Sequence, residues 1–332
     1  MSTENNKEEA INLGRSLIVP SVQELAKRSI THIPPEYAHQ LDQDQLLLSC
    51  DDVLTPSVPV IDLQSLFANT IESSVEYLFE LNKLHTASKE WGFFQVINHG
   101  ISESLLADFK RDVLNFFNLP MEEKKKLWQE EDKMKVSVSC LLQTLEAYCV
   151  EIKKLATVIL GQMGKALEMD EDQINELFHD GFQSMRMNHY PPRPQPNMAM
   201  GLSPHSDAGA LTIVNQLNTT DGLEIRKDGK WVTIKPLPNA LLVNIGDIME
   251  IVSNGVYKSI EHRAIVNAHS ERLSVATFYC SNIATLLGPA KSLVAKHKVA
   301  NFKQIPLEEY FKGFFARKLD GKSYLEIMKL ES

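Results

Sequence analysis

The chain has 332 residues, 43% of them hydrophobic and 23% charged, a composition that describes one large or two ordinary globular domains and excludes a disordered or fibrous protein. Its 34 Lys and Arg against 43 Asp and Glu give a net charge of −9, which argues against a nucleic-acid partner and against an anionic membrane surface. Four cysteines (Cys50, Cys140, Cys149, Cys280) make no CxxC pair and no disulfide framework, so a reducing compartment is expected.

The opening residues, MSTENNKEEA, are polar and acidic where a secretory leader needs a basic start and an apolar run. With no apolar stretch long enough to span a bilayer, the expectation is a cytoplasmic protein, monomeric by default. Residues 1–53 are polar, broken by Pro20, Pro34 and Pro35, and read as an N-terminal arm. The alternating, β-branched run VPVIDL (Val58 to Leu63) predicts a strand. Leu78, Leu81, Leu84 and Ala87 at three-residue steps predict a helix from Val75 to Trp91, followed by a strand at FFQVIN (Phe93 to Asn98). Ser102 opens another helix carrying Leu105, Phe109, Val113 and Phe116, stopped before Pro120. The charged segment Met121 to Lys135 reads as a solvated helix face. A long helix from near Leu142 follows, with Leu145, Tyr148, Ile152, Leu155, Ile159, Met163 and Ala166 on its apolar stripe.

After Phe178 the pattern changes to short β-rich runs punctuated by Gly, Pro and Asn-Gly: SMRMNHY, LTIVNQL, GLEIR, WVTIKPL, ALLVNIGD, YKSIEHRAIV and RLSVATFY. Closely spaced strands with turn signals predict a sandwich or barrel rather than a parallel sheet, and Lys227-Asp228-Gly229-Lys230 predicts a hairpin. The tail from Pro306 predicts helix.

Within this half lies His205-Ser206-Asp207. On a strand, residues i and i+2 share a face, so His205 and Asp207 can reach one ion together; a lone HxD is weak, since such triplets arise by chance in surface loops. A second strand places His262 on the face of Ile260 and Ala264, where a histidine by itself is more often core than ligand. Arg272 and Ser274, again an i, i+2 pair, change the balance. An inward Arg needs an anionic partner, and its planar fork suits a carboxylate, with the serine hydroxyl as a further donor. Two histidines, one carboxylate and an inward Arg form the arrangement for non-haem Fe(II) with an anionic co-substrate; three facial ligands leave positions for a chelating 2-oxo acid and dioxygen.

Over nearly its whole length, and in order, the sequence resembles the plant iron(II)/2-oxoglutarate-dependent dioxygenases of the senescence-related and codeine O-demethylase group. The resemblance rests on VPSVQELA, IPPEY, VPVIDL, EWGFFQVINHG, SMRMN, YPPRPQP, GLSPHSDAGALTIV, DGLEIRKDGKWV, KPLPNALLVNIGD, NGVYKSIEHRAIVN, ERLSVATFY and KLDGKSYL. It implies an α+β protein with a double-stranded β-helix (jelly-roll) core: an arm over 1–53, a helical N-terminal region over 54–178, the jelly roll over 179–300 and a C-terminal helical tail over 301–332. It further implies iron ligands at His205, Asp207 and His262. The distal carboxylate of 2-oxoglutarate falls to Arg272 and Ser274, with Tyr190 and Asn188 beside the co-substrate and iron. Phe278 matches an aromatic lining the substrate pocket, though plain core packing explains it nearly as well. Fe(II), 2-oxoglutarate, dioxygen and, as reductant, ascorbate are the implied cofactors and co-substrates. The implied reaction hydroxylates or O- or N-demethylates a small hydrophobic specialised metabolite, releasing succinate and CO2.

One departure stands out. Between Lys135 and Leu142, where the family carries a few dozen more residues that cover the barrel mouth and supply substrate-pocket side chains, this chain has only VSVSC (Val136 to Cys140). Three readings therefore remain at this stage. The chain is a working dioxygenase, a shortened relative that binds iron and 2-oxoglutarate but is uncoupled or inactive, or a non-enzymic jelly-roll binding module. An oxidase needing no 2-oxo acid is a further enzymatic option, and the Arg272/Ser274 pair speaks against it.

Overall fold

The computed structural model describes residues 22–27, 57–67, 71–125, 139–192, 200–316 and 321–330. The arm contributes helix α1 (Val22–Lys27); its other residues, and positions 126–138 of the shortened segment, lie outside the described residues.

Strand β1 (Val60–Asp62) runs into a 3-10 turn over Leu63–Leu66, shorter than predicted because the Asp62 carboxylate accepts from the Gln64 amide and turns the chain. Helix α2 (Val75–Glu90) starts where Ser74 accepts from the Tyr77 amide at 3.2 Å. After β2 (Phe93–Ile97), Ser102 caps α3 (Glu103–Asn118) in the same way at 3.1 Å, and the helix ends two residues before Pro120. The charged segment begins with the short α4 (Met121–Lys125). Helix α5 spans Ser139–Ala166, starting three residues earlier than its apolar stripe predicts. Tyr148, Ile152, Leu155, Ile159 and Met163 of that stripe are buried, and the Tyr148 ring stacks on Phe109 with centroids 3.9 Å apart. Each such side chain contributes roughly 1.5–3 kcal/mol of burial, far more than helix propensity does.

After α6 (Glu171–Phe178) come β3 (Gln183–Tyr190), β4 (Met200–His205), β5 (Leu211–Gln216), β6 (Leu223–Lys227), β7 (Lys230–Thr233), β8 (Leu241–Ile245), β9 (His262–Ile265) and β10 (Arg272–Tyr279). The β6–β7 hairpin forms as expected, with Asp228 and Gly229 at φ 50° and 78° in the left-handed conformation that a tight two-residue turn requires. β7 stops at Thr233, ahead of Pro236 and Pro238, which have no amide to pair. The run YKSIEHRAIV yields strand only from His262, because the Lys258 and Ser259 amides are committed to the Ser88 carbonyl and the Glu250 carboxylate.

These strands form two sheets. The larger has the order β1-β2-β8-β5-β10-β3 and the smaller β4-β9-β6-β7. Strands β1 and β2, from before residue 179, therefore extend the same sheet as β8, β5 and β10. The main hydrophobic core packs α2, α3 and α5 against the large sheet, while Val58, Phe93, Leu223, Ile225, Val232, Ile234 and Leu242 form a smaller cluster joining strands of both sheets. The architecture is α+β with a jelly-roll core. Helix α7 (Asp247–Val252) connects β8 towards β9, and the tail closes the fold with α8 (Lys291–His297), α9 (Leu307–Phe315) and α10 (Ser323–Met328). Among the described residues no helix is long and apolar enough to cross a membrane.

Candidate metal centre

His205 ends β4 and His262 begins β9, and the register pairs them directly across the small sheet. Asp207 stands two residues beyond the end of β4, so it does not share a strand face with His205 as predicted. The connecting turn brings it in instead, fixed by the Asp247 amide on the Asp207 carbonyl at 2.7 Å and the Ser206 amide on the Gly321 carbonyl at 3.3 Å. Asp207 Oδ1 lies 3.5 Å from His205 Nε2 and 3.6 Å from His262 Nε2, with all three residues buried. Of the described residues, these three are the His, Cys, Asp or Glu group whose ligand atoms converge within 4.8 Å.

Each donor is oriented from behind. His205 Nδ1 meets the Ser203 carbonyl at 2.7 Å and His262 Nδ1 meets the Ile260 carbonyl at 3.0 Å. A carbonyl only accepts, so both Nδ1 atoms carry the proton and both Nε2 lone pairs face the shared centre. The Phe93 ring packs edge-on against His262 with centroids 5.2 Å apart. Asp207 Oδ2 accepts from Thr212 Oγ1 at 2.5 Å and Asn244 Nδ2 at 2.8 Å, leaving Oδ1 turned to the histidines.

Burial opposes charge on Asp207, but His262, His205 and the Thr212 hydroxyl outweigh it and hold the carboxyl well below its usual range. Burial, with the neighbouring His205, pushes His262 down to about 4. Burial also works against charge on His205, yet the Asp207 hydrogen bond and charge prevail and raise it. A deprotonated carboxylate and two imidazoles whose Nε2 atoms face it make a donor set that a divalent transition metal can bind. Two nitrogens and one oxygen on one side, with the other side open to a cleft, fit Fe(II).

The cleft between the sheets takes in Tyr190, Asn188, Arg272, Ser274 and Phe278, so the structure brings every predicted site residue to one cavity. Register explains this: Arg272 pairs with Tyr190, Ser274 with Asn188 and Phe278 with Ser184, on one face of β10 and β3. Arg272, 3% exposed, donates to Ser274 Oγ at 3.2 Å and Gln216 Oε1 at 3.1 Å and lies 5.6 Å from the centroid of the Tyr190 ring. Burial lowers its pKa and its Nε has no hydrogen-bond partner. A buried guanidinium with an unused donor and no carboxylate partner among the described residues is a socket for an anion. Gly222, at φ 152°, lets the chain pass: a Cβ there would meet the Ile265 carbonyl at 2.8 Å and Arg272 Cδ at 3.0 Å.

Sequence reasoning missed Thr212, Asn244 and Gln216. Signals existed for all three. Thr212 alternates with the apolar Leu211 and Ile213 in β5 and Gln216 falls four residues on at the same parity, while Asn244 is a single amide inside the fully buried β8, where it must find a partner.

Comparison with known proteins agrees with this geometry. The family model described as the 2OG-Fe(II) oxygenase superfamily matches residues 181–281, and the one described as the non-haem dioxygenase in morphine synthesis N-terminal matches residues 58–149. The chain is 44% identical over 354 residues to Protein SRG1 of Arabidopsis thaliana, covering 95% of this chain and 97% of that protein. It is 42% identical over 373 residues to oxoglutarate-dependent flavonoid 7-O-demethylase 1 of Ocimum basilicum, covering 100% and 98%. Since 373 aligned positions contain only 332 residues of this chain, at least 41 positions of that relative face a gap. The crystal structure of JOX2 in complex with 2OG, Fe and JA superposes with a TM-score of 0.79 at 28% identity, over 95% of this chain and 99% of that one.

Proposed function

The chain belongs to the 2OG-Fe(II) oxygenase superfamily and is a 2-oxoglutarate-dependent dioxygenase, an oxidoreductase; from that premise we propose that it oxidises a small specialised metabolite, by hydroxylation or O- or N-demethylation, with succinate and CO2 as co-products. The observation that carries the reading is the convergence of His205, Asp207 and His262 on one buried point, with Arg272 beyond them holding a buried Nε that no described group accepts from. The name of the Ocimum relative supports demethylation of a phenolic methyl ether as the first outcome to test.

In this proposal His205 and His262 hold iron through Nε2 and Asp207 through Oδ1. Thr212 and Asn244 keep the other carboxylate oxygen occupied and so fix the ligand's rotation. Arg272 and Ser274 take the far carboxylate of 2-oxoglutarate, with Gln216 steadying the guanidinium and Tyr190 stacked beside it. Asn188 borders the iron side of the cleft. Phe278, half-buried on the same face, gives the substrate an apolar wall. Bound iron and 2-oxoglutarate supply dioxygen activation, the oxidising power that removes hydrogen from a substrate C–H bond. The protein's share is orientation and exclusion of water by Phe93, Leu202, Leu223, Val214 and Phe278. Ascorbate as reductant, a cytoplasmic site of action and a monomeric state complete the proposal, the first from the family resemblance, the second from a cysteine usage that suits a reducing compartment and the third by default.

A second reading has its own support. The missing alignment positions, which the resemblance locates between Lys135 and Leu142, favour a shortened enzyme that consumes 2-oxoglutarate without passing the oxidising equivalent to a substrate. The test is the ratio of succinate to oxidised product over a panel of methoxylated phenols. A ratio near one, with formaldehyde released, supports the coupled enzyme; succinate without product supports the uncoupled form; neither, with iron bound, contradicts both.

A further inference from the structure

One short stretch of the C-terminal tail reaches the chain around every residue of the metal centre. Gly321 lies beside the end of β4, where its amide donates to the Pro204 carbonyl at 3.2 Å and its carbonyl accepts from the Ser206 amide at 3.3 Å. The two bonds bracket His205. Gly321 is in the left-handed conformation, φ 51°, and a Cβ there would stand 3.2 Å from Oε1 of Glu261, the neighbour of His262. Glycine suits both the conformation and the clearance.

The next residue reaches the other histidine. Lys322 Nζ donates to Glu250 Oε2 at 2.8 Å, and the same oxygen accepts from the Ser259 amide at 2.7 Å. Ser259 precedes Ile260, whose carbonyl fixes His262 Nδ1. Glu250 is 2% exposed and lies on α7, whose first residue closes the circuit. There the Asp247 amide holds the Asp207 carbonyl at 2.7 Å, while its Oδ2 accepts from Ser206 Oγ and from the Tyr310 hydroxyl of α9, each at 3.2 Å. A buried carboxylate keeps its place only with a partner charge. Without Lys322, Glu250 draws in water or turns outward, and its grip on the Ser259 amide loosens. The backbone that orients His262 then gains freedom, which a bound metal must remove again at the expense of affinity.

Resting on the reading of His205, Asp207 and His262 as metal ligands, we propose that Lys322 is a positioning residue of the metal centre: paired with Glu250, it fixes the direction of the His262 imidazole through Ser259 and Ile260. Together with Gly321 it makes the C-terminal tail an outer frame of the ligand set. Linkage makes this coupling reciprocal, so metal binding in turn steadies the tail.

The test measures metal affinity in the folded full-length chain, titrated anaerobically with Fe(II) against a competing chelator. Lys322→Met should weaken Fe(II) binding about 10- to 100-fold, and Lys322→Arg, which keeps the charge, should restore it to within about threefold. Lys322→Met combined with Glu250→Gln should also recover affinity, because an amide oxygen still accepts from Ser259 and leaves no charge to compensate. Wild-type affinity in folded Lys322→Met overturns the proposal, as does a loss that Lys322→Arg shares in full. A second measurement needs no variant. Amide hydrogen exchange of the wild type, with Zn(II) as a redox-inert occupant, should slow about tenfold or more at Gly321, Ser206 and Ser259, with the distal Leu330 amide as the unaffected control. Exchange at Gly321 and Ser259 that ignores the metal overturns the proposal even if Lys322→Met fails to fold. Wild-type protein that binds neither ion defeats the metal-centre reading itself; tight binding that is indifferent to Lys322 defeats only the role of the tail.

Discussion

His205 and His262 stand directly opposite each other across β4 and β9, with ring centroids 4.3 Å apart and planes tilted by 49°. Two strands that approach from different parts of the chain thus deliver two imidazoles to one point, and each ring is locked by a carbonyl two residues before it, Ser203 or Ile260. His205 is held by its own strand's backbone and His262 by the backbone just ahead of β9. The centre is therefore preorganised by the small sheet, and its metal affinity should be sensitive to the groups behind the ligands as well as to the ligands themselves.

Removal of the Arg272 guanidinium tests the co-substrate socket. Arg272→Ala should weaken 2-oxoglutarate by about 2–4 kcal/mol, a loss of roughly 30- to 1000-fold in KM or Kd, while iron still binds. Unchanged affinity for 2-oxoglutarate would show that the diacid is held elsewhere.

The support of Asp207 Oδ2 is tested by Asn244→Ala. Loss of the 2.8 Å contact frees the carboxylate to rotate, and Fe(II) affinity measured anaerobically against a competing chelator should fall about 10- to 100-fold. Thr212→Val should act in the same direction through the hydroxyl at 2.5 Å. Wild-type affinity in both variants would mean that the strands alone position the ligand.

Asp247 provides a pH signature. It is buried behind the turn that carries Asp207, accepts from Ser206 and Tyr310 through Oδ2, has no partner at Oδ1, and burial raises its pKa from 3.8 to about 6. An acid whose pKa rises on folding takes up a proton as the chain folds. Its contribution is therefore most favourable below the unfolded value and is lost as pH climbs from about 4 to 6. The swing is about 3 kcal/mol, at 1.36 kcal/mol per unit. Asp247→Asn, which is neutral at all pH, removes the swing. Urea unfolding of both proteins should show the variant gaining about 3 kcal/mol relative to wild type between pH 4 and 7. A difference that does not change with pH would contradict the raised pKa.

The tail holds the ligand turn through the Gly321 carbonyl, and beside it Lys322 Nζ donates to the buried Glu250 carboxylate at 2.8 Å. Lys322→Met leaves that carboxylate buried with the Ser259 amide as its remaining partner. The Lys322 side chain is 26% exposed, so the cost should be about 2–3 kcal/mol, below that of a fully buried pair. Denaturant unfolding checks it; a loss under 0.5 kcal/mol, roughly the ordinary effect of a surface substitution, would show the pair is dispensable.

Much of the fold could be read before the structure because its signals are local. Ser102 announces a helix start, the spacing of Leu78, Leu81, Leu84 and Ala87 announces α2, the stripe from Leu145 to Met163 announces α5, and Asp228-Gly229 announces a hairpin. The Arg272/Ser274 pair was legible for the same reason, since alternation within one strand fixes a shared face. His205 and Asp207 were expected together on a false premise. They meet through a turn rather than a strand face, held by Asp247 and Gly321, which lie 40 residues or more away in sequence. Thr212, Asn244 and Gln216 carried a signal of burial, but not of their partners, because which buried polar group meets which ligand depends on the order of β8, β5 and β10 in the sheet. That order is a long-range property without a local pattern.

The most direct measurement is the visible absorption of the anaerobic protein as Fe(II) and then 2-oxoglutarate are added. A weak charge-transfer band should appear in the wild type at one equivalent of each, vanish in His262→Ala and require far more 2-oxoglutarate in Arg272→Ala. A band of undiminished strength in His262→Ala, or none in the wild type, would contradict an iron centre built on His205, Asp207 and His262.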